Sequence, residues 1–504
     1  MTIEEAKNYI KNDIRIYLMK DEYGSPRIPV ARQRPIFLLG APGIGKTAIM
    51  EQIAGELGIA LVSYSMTHHT RQSALGLPFI KHESFEGMEY DVTEYTMSEI
   101  IASIYDVMRN SGIKEGILFL DEINCVSETL APSMLQFLQY KTFGKHKVPE
   151  GWIIVTAGNP PEYNKSVREM DTVTMDRLKI LNVEADYETW KKYAREHKLH
   201  SAVLGFLEIH KDYFYHIEMT IKGRTYVTAR GWEDLSAILT LYTEKDMPVD
   251  EKLIGQYIRN DKIVREFAAY YDLYRKYQRD YQIDEILAGS PDKSVYIKGK
   301  NADFDERLSV LGMLTDRLLI EISSVMSMDN YLSNLMKQLK KVKEASLAGD
   351  GRAVMEKLSA IEANEKLKME SLAKANSLSD KDKAEIRRLI GFTNNALLQL
   401  SKGEYSDGEK SFGIVRNMFD REVGEMKAAV ENVKLKVHNV FDYIEKAYED
   451  GNELLIFVTE LTVNNDSAAF ISSFGVPEYK EASEKLLLTE RRDTIKDEIN
   501  ELII

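Results

Sequence analysis

The residues best suited to chemistry in this 504-residue chain begin with GAPGIGKT, Gly40 to Thr47. A glycine-rich turn that opens a helix points backbone N–H groups inward, where the helix N-terminus helps them cradle phosphate oxygens. Gly40, Ala41, Pro42, Gly43, Ile44 and Gly45 supply that turn. Lys46 is placed to reach the β- and γ-phosphates of a nucleotide, and the Thr47 hydroxyl to ligate Mg²⁺. The apolar run PIFLL (35–39) ahead of it and AIMEQIAGEL behind it supply the strand and amphipathic helix that such a loop requires.

About seventy residues on, ILFLDE (117–122) ends a buried strand in two carboxylates. In an open α/β sheet, ligands sit at the carboxyl edge of the strands. Asp121 can hold the magnesium through water, and Glu122 is placed to orient or deprotonate an attacking water. A third strand, GWIIVTAGNP, ends at Asn159, whose amide can contact the γ-phosphate or that water. Taken alone, Asn159-Pro160-Pro161 reads as a turn. Beside the other two motifs it completes a site for ATP and Mg²⁺ built for hydrolysis.

The elements that must position these groups are legible as short β-rich runs alternating with helical patterns over 35–183, which predicts a parallel sheet sandwiched by helices. The expected strands are 35–39, 60–65, 116–121 and 151–158. Residues 1–34 read as a helix, a turn and a basic stretch; 184–288 as a helical lid with adjoining helices; 289–306 as a turn-rich linker. From 307 to 504 the chain turns Lys/Glu-rich and helical. Val423, Met426, Val430, Val433, Val437, Val440 and Ile444 recur in steps of three and four, giving one apolar stripe. That stripe predicts a helix packed on its own domain, with an extended coiled coil as the alternative. The stretch 345–385 reads as an exposed helical hairpin.

Composition narrows the field. A formal net charge of -14 argues against a free-standing nucleic-acid binder, which needs a basic footprint. A single cysteine, Cys125, excludes an internal disulfide and a cysteine-built metal site. The polar, acidic MTIEEAKNYI is unlike a secretory signal, and the longest apolar runs are strand-sized, so a cytoplasmic protein without a membrane span is expected.

The order of Gly40–Thr47, Ile117–Glu122, Asn159 and a helical lid resembles the AAA+ ATPases. The wording of LFLDEIN, TAGNPPEYNKSV, MDRLK and ARGWEDLS is similar to the MoxR branch, over residues 30–245. The resemblance implies a ring, commonly a hexamer, with ATP bound between neighbours. It matches Arg177 in MDRLK to the arginine finger of the next subunit's site, with Arg168 as rival. It matches Arg230 in ARGWED to the lid's sensor arginine. It also places the loop 63–78, with His68, His69 and Arg71, toward the pore or a partner.

MoxR-like proteins often work beside proteins with a von Willebrand factor A domain, so the resemblance implies a chaperone that remodels such a client. A nucleic-acid-directed motor, for which Lys145, His146, Lys147 and Arg71 are the suggestive residues, is the first alternative. A nucleotide-gated scaffold is the second. The aromatic-glycine pore loop of threading unfoldases is missing, and the C-terminal half resembles no named family.

Overall fold

The computed structural model describes residues 1–486 other than 69–71, 73, 75, 86–87, 164–166, 168–169, 171, 221–222, 349–350, 403–406 and 449–450. The chain falls into two compact units. One comprises Met1–Thr189, Thr228–Arg230 and Glu362–Ile390; the other comprises Trp190–Val227, Gly231–Ile361 and the chain from Gly391 onward.

The first unit contains, in chain order, β1 (Ile36–Gly40), β2 (Ala60–Ser65), β3 (Pro78–Phe85), β4 (Met88–Tyr95), β5 (Gly116–Asp121), β6 (Thr142–Phe143), β7 (His146–Lys147), β8 (Trp152–Gly158) and β9 (Lys179–Val183). Five of them form one parallel sheet in the order β2-β5-β8-β1-β9. Helices cover both faces of a parallel sheet, which is why its strands are nearly continuous apolar runs. All seven residues of β8 are buried, and Phe37, Val62, Leu118, Leu120, Trp152 and Ile154 share one core with Ile100, Ile101 and Ile104 of the helix Glu99–Ser111.

The four expected strands are present, shifted by a residue at most at their ends. β9 was not expected, because KILNV mixes charge and amide with its apolar residues. Its Lys179 is held instead by Asp13 of the helix Ile3–Tyr17, at 2.5 Å. The ribbons β3–β4 and β6–β7 are unmarked by periodicity: no residue of β4 is buried, and β6 and β7 are two residues long each.

In the second unit, Phe267 meets Phe206 and Trp232 edge to face and those two rings tilt against each other, with centroids 5.1–5.8 Å apart. The long helices Phe304–Ala348 and Gly408–Tyr448 pack together there. Val430, Val433, Val437, Val440 and Ile444 of the expected stripe are buried, and Lys436 reaches Glu321 at 2.5 Å. The stripe therefore packs on its own unit.

Three expectations need correction. Residues 289–306, expected to be turn-rich, contain the helix Lys293–Asn301 with Val295 and Gly299 buried, and a Cβ on Gly299 would lie 2.9 Å from the Tyr443 hydroxyl. The supposedly helical 184–288 contains a ribbon of β10 (His216–Thr220) and β11 (Gly223–Val227), whose alternating residues favour a strand pair. The hairpin of 345–385 is not exposed at its turn, where Ser377 is buried and Ala375 is part of the core of the first unit. No single helix among the described residues is long and apolar enough to cross a membrane; Asn452–Val463 and Asn465–Phe474 reach that length only together, across an 89° bend.

Candidate active site

β1 ends at Gly40 and the helix Lys46–Leu57 begins six residues later. Its N-cap is Gly45, in a left-handed conformation at φ 92° and with no side chain to satisfy the first N–H groups. Those donors are left for an anion, which the partial positive charge of the helix end also favours.

Lys46 is buried, and its ammonium uses all three protons: Nζ donates to Gly40 O at 2.7 Å, Ala41 O at 2.8 Å and Asn159 Oδ1 at 2.9 Å. Burial pulls its pKa from 10.5 down to about 8, against the pull of Asp121 in the other direction and with a smaller push from Arg230. At the next residue, Thr47 Oγ1 donates to Asp121 Oδ2 at 3.1 Å. The hydroxyl and carboxylate that would share Mg²⁺ therefore face each other.

The sheet order explains the convergence. β8 lies between β1 and β5, so Asn159, just past its end, stands between the loop carrying Lys46 and the strand carrying Asp121. Asn124 Nδ2 donates to Asn159 O at 2.7 Å. A Cβ on Gly158 would lie 2.5 Å from Asn124 Oδ1, so only glycine lets that amide cross the strand end.

Glu122 adopts φ 55°, unusual for a residue with a Cβ and a strain that tends to persist where a side chain must be aimed. Its Oε2 accepts from both Ser65 Oγ and Thr67 Oγ1, each at 3.1 Å. Ser65 stands opposite Asp121 in the register of β2 and β5. Neither hydroxyl was picked out from sequence, where SYSMT reads as a strand running into a loop; their signal is the placement of β2 beside the acidic strand.

Arg230 is brought to the same edge. A Cβ on Gly43 would lie 3.2 Å from Thr228 Cβ and 3.7 Å from Arg230 Cβ, and the Arg230 charge acts on Lys46. Arg177 is not: it sits in the turn before β9, its N–H bonded to Thr174 O at 3.1 Å, and its guanidinium takes part in none of the hydrogen bonds described around Lys46, Asp121, Glu122 and Asn159. Arg168, His69 and Arg71 lie outside the described residues, as does the His68 side chain. Among the described residues no cluster of His, Cys, Asp and Glu could hold a metal by itself. The fit to magnesium is the kind that relies on a hydroxyl, a carboxylate, phosphate oxygens and water.

Residues 36–175 match the family described as "ATPase family associated with various cellular activities (AAA)". No match is found among curated proteins. Among solved structures the chain is similar to the crystal structure of NtrX from Brucella abortus, at 16% identity over 36% of this chain and 37% of that one. The TM-score of that pair is 0.22, too low to bear on the fold. The glycine loop, the paired acids and the amide after β8 all lie within residues 36–175, the stretch that matches the AAA ATPase family.

Proposed function

We propose that the chain hydrolyses Mg·ATP and uses that cycle to remodel, assemble or activate a partner protein, as a MoxR-like chaperone acting in a ring. The observation that carries the ATPase part is the convergence of Lys46, Asn159, Thr47 and Asp121 through two hydrogen bonds at one sheet edge, with Glu122 adjoining. Lys46 and the N–H groups at the start of its helix bind the phosphates. Bound through Thr47 and Asp121, Mg²⁺ would offset negative charge on the phosphate oxygens. Glu122 takes the proton of the attacking water once Ser65 and Thr67 release its carboxylate. Asn159 holds that water or the γ-phosphate in line. Arg230 stands beside Gly43 of the glycine loop, where its charge can reach the phosphates.

Arg177 lies apart from its own site, which supports a role in trans at the neighbouring subunit's nucleotide. ATP would then sit between two chains, and a ring, commonly of six, would close the arrangement. The acidic balance and the long helical second unit support a protein client, with a von Willebrand factor A domain protein as the first candidate. The electrostatics weigh against a nucleic-acid motor: the Lys145 ammonium pairs with Glu94 and the neighbouring Lys81 with Glu83 at 2.7 Å, so that basic group is partly neutralised. The nucleotide-gated scaffold has no specific observation in its favour, and a carboxylate at Glu122 argues for turnover.

The test of the partner reading is affinity capture with the E122Q protein locked on ATP, from native lysate with and without nuclease. Nuclease-resistant enrichment of a von Willebrand A-type protein supports it. Enrichment that disappears with nuclease overturns it in favour of the motor.

A further inference from the structure

The first unit takes part of its core from far along the chain. The helices Gly351–Lys374 and Asp380–Ser401 are joined by a turn whose residues 375–377 sit against β2, the edge strand of the sheet. Ala375 is fully buried in the core cluster built by Val62, Leu118 and Ile154. Leu61 N–H donates to Ala375 O at 2.8 Å, and Asn376 Nδ2 donates to Leu61 O at 3.3 Å, so one turn engages both backbone polar groups of one strand residue. Asn376 makes that reach from a left-handed backbone, at φ 51°. A free strand edge is ordinarily covered by a loop or helix to prevent mispairing, and this turn serves that purpose. Its position suggests more.

β2 is only six residues long. Leu61 lies four residues from Ser65, about 13 Å along the strand. Ser65, with Thr67 just beyond, holds the Glu122 carboxylate. Both hydrogen bonds fall on Oε2, tying the carboxylate to β2 and occupying one of the two oxygens that could accept from water. The relation of Ser65 to Glu122 depends on where β2 stands against β5, and the turn fixes β2 from its other edge.

We infer that the 375–377 turn is a positioning element for Glu122: by pinning Leu61 it keeps Ser65 and Thr67 on the carboxylate and so restrains hydrolysis. Asn376 is the positioning residue, acting through β2 and touching no reacting atom. The turn is carried by the helices Gly351–Lys374 and Asp380–Ser401, so a client or partner acting on them has a route to the turnover rate. This inference rests on Glu122 being the group that activates water.

The test is steady-state ATP turnover by the full chain, with nucleotide affinity measured separately by a fluorescent ATP analogue. N376G keeps the left-handed backbone and loses the bond to Leu61 O. The expected result is a kcat raised about threefold with KM and analogue Kd unchanged. In an S65A/T67A background, where the restraint is already gone, N376G should add nothing, because coupled residues are non-additive. A375E, which drives a charge into the same contact, should match N376G if it folds. An N376G kcat that is unchanged or lower, or a rise of equal size in the S65A/T67A background, overturns the inference. E122Q separates the two levels: undiminished turnover there removes the premise about Glu122, whereas an inactive E122Q beside a silent N376G removes only the role of the turn.

Discussion

Lys46, at the start of the helix that follows β1, and Asn159, just past the end of β8, are joined by a hydrogen bond of 2.9 Å that completes the lysine's three donors. A phosphate oxygen would compete for that ammonium, and the Asn159 amide is the acceptor best able to yield, since Gly40 O and Ala41 O belong to the loop itself. Asn159 would then be free to turn toward phosphate or water. N159A is expected to keep nucleotide binding and to lose about tenfold or more in kcat, the scale of one polar contact to developing charge. Analogue binding and phosphate release, measured on the same preparation, check this. Equal loss of both would assign Asn159 to binding alone. K46A, by contrast, is expected to lose tight binding.

The same buried lysine sets a pH dependence. Its pKa of about 8 means that the ammonium is mostly charged at pH 7 and progressively neutral above pH 8. Phosphate binding needs the charge, so the apparent Kd for Mg·ATP is expected to rise as pH increases from 8 towards 10. K46R, which stays charged across that window, is expected to flatten the curve. A wild-type Kd that is constant from pH 7 to 10 contradicts the assignment.

Sequence reached the site more fully than its surroundings, for a physical reason. Phosphate-binding loops, strand-terminal acids and the amide after β8 depend on short, local patterns, so Lys46, Thr47, Asp121, Glu122 and Asn159 could be read in order along the chain. Ser65, Thr67 and Asn124 depend on which strands become neighbours, and nothing local marks them. The 375–377 turn is further out of reach: its partner, Leu61, is more than three hundred residues away, and its own sequence reads as a polar break between helices. Lys141 illustrates the opposite failure, a basic residue that pattern alone would leave at the surface.

Lys141 is buried, with Nζ donating to Gln33 Oε1 at 3.0 Å, and burial lowers its pKa from 10.5 to about 8. Between those values the folded chain binds fewer protons there than the unfolded chain, so this residue's contribution to stability improves as pH rises through that window. Relative to K141M, the wild type should gain up to about 3 kcal/mol between pH 7.5 and 10.5. Denaturant midpoints of the two proteins at several pH values check it. A difference independent of pH would mean that Lys141 keeps its ordinary pKa.

Arg177 makes the shared-site reading quantitative. R177A is expected to retain analogue binding and lose about three orders of magnitude in hydrolysis, as an arginine supplied in trans does. Wild-type specific activity should rise with protein concentration as subunits assemble. Full activity in dilute protein shown to be monomeric by sedimentation would remove the requirement for a second chain.

The most direct test of the central claim is phosphate release from Mg·ATP by the purified full chain, wild type beside E122Q, with analogue binding measured for both. The account predicts turnover by the wild type, and an E122Q protein that binds as tightly but turns over at least about a hundredfold more slowly, the scale of a lost general base. No turnover by an assembled wild-type protein, or undiminished turnover by E122Q, would contradict it.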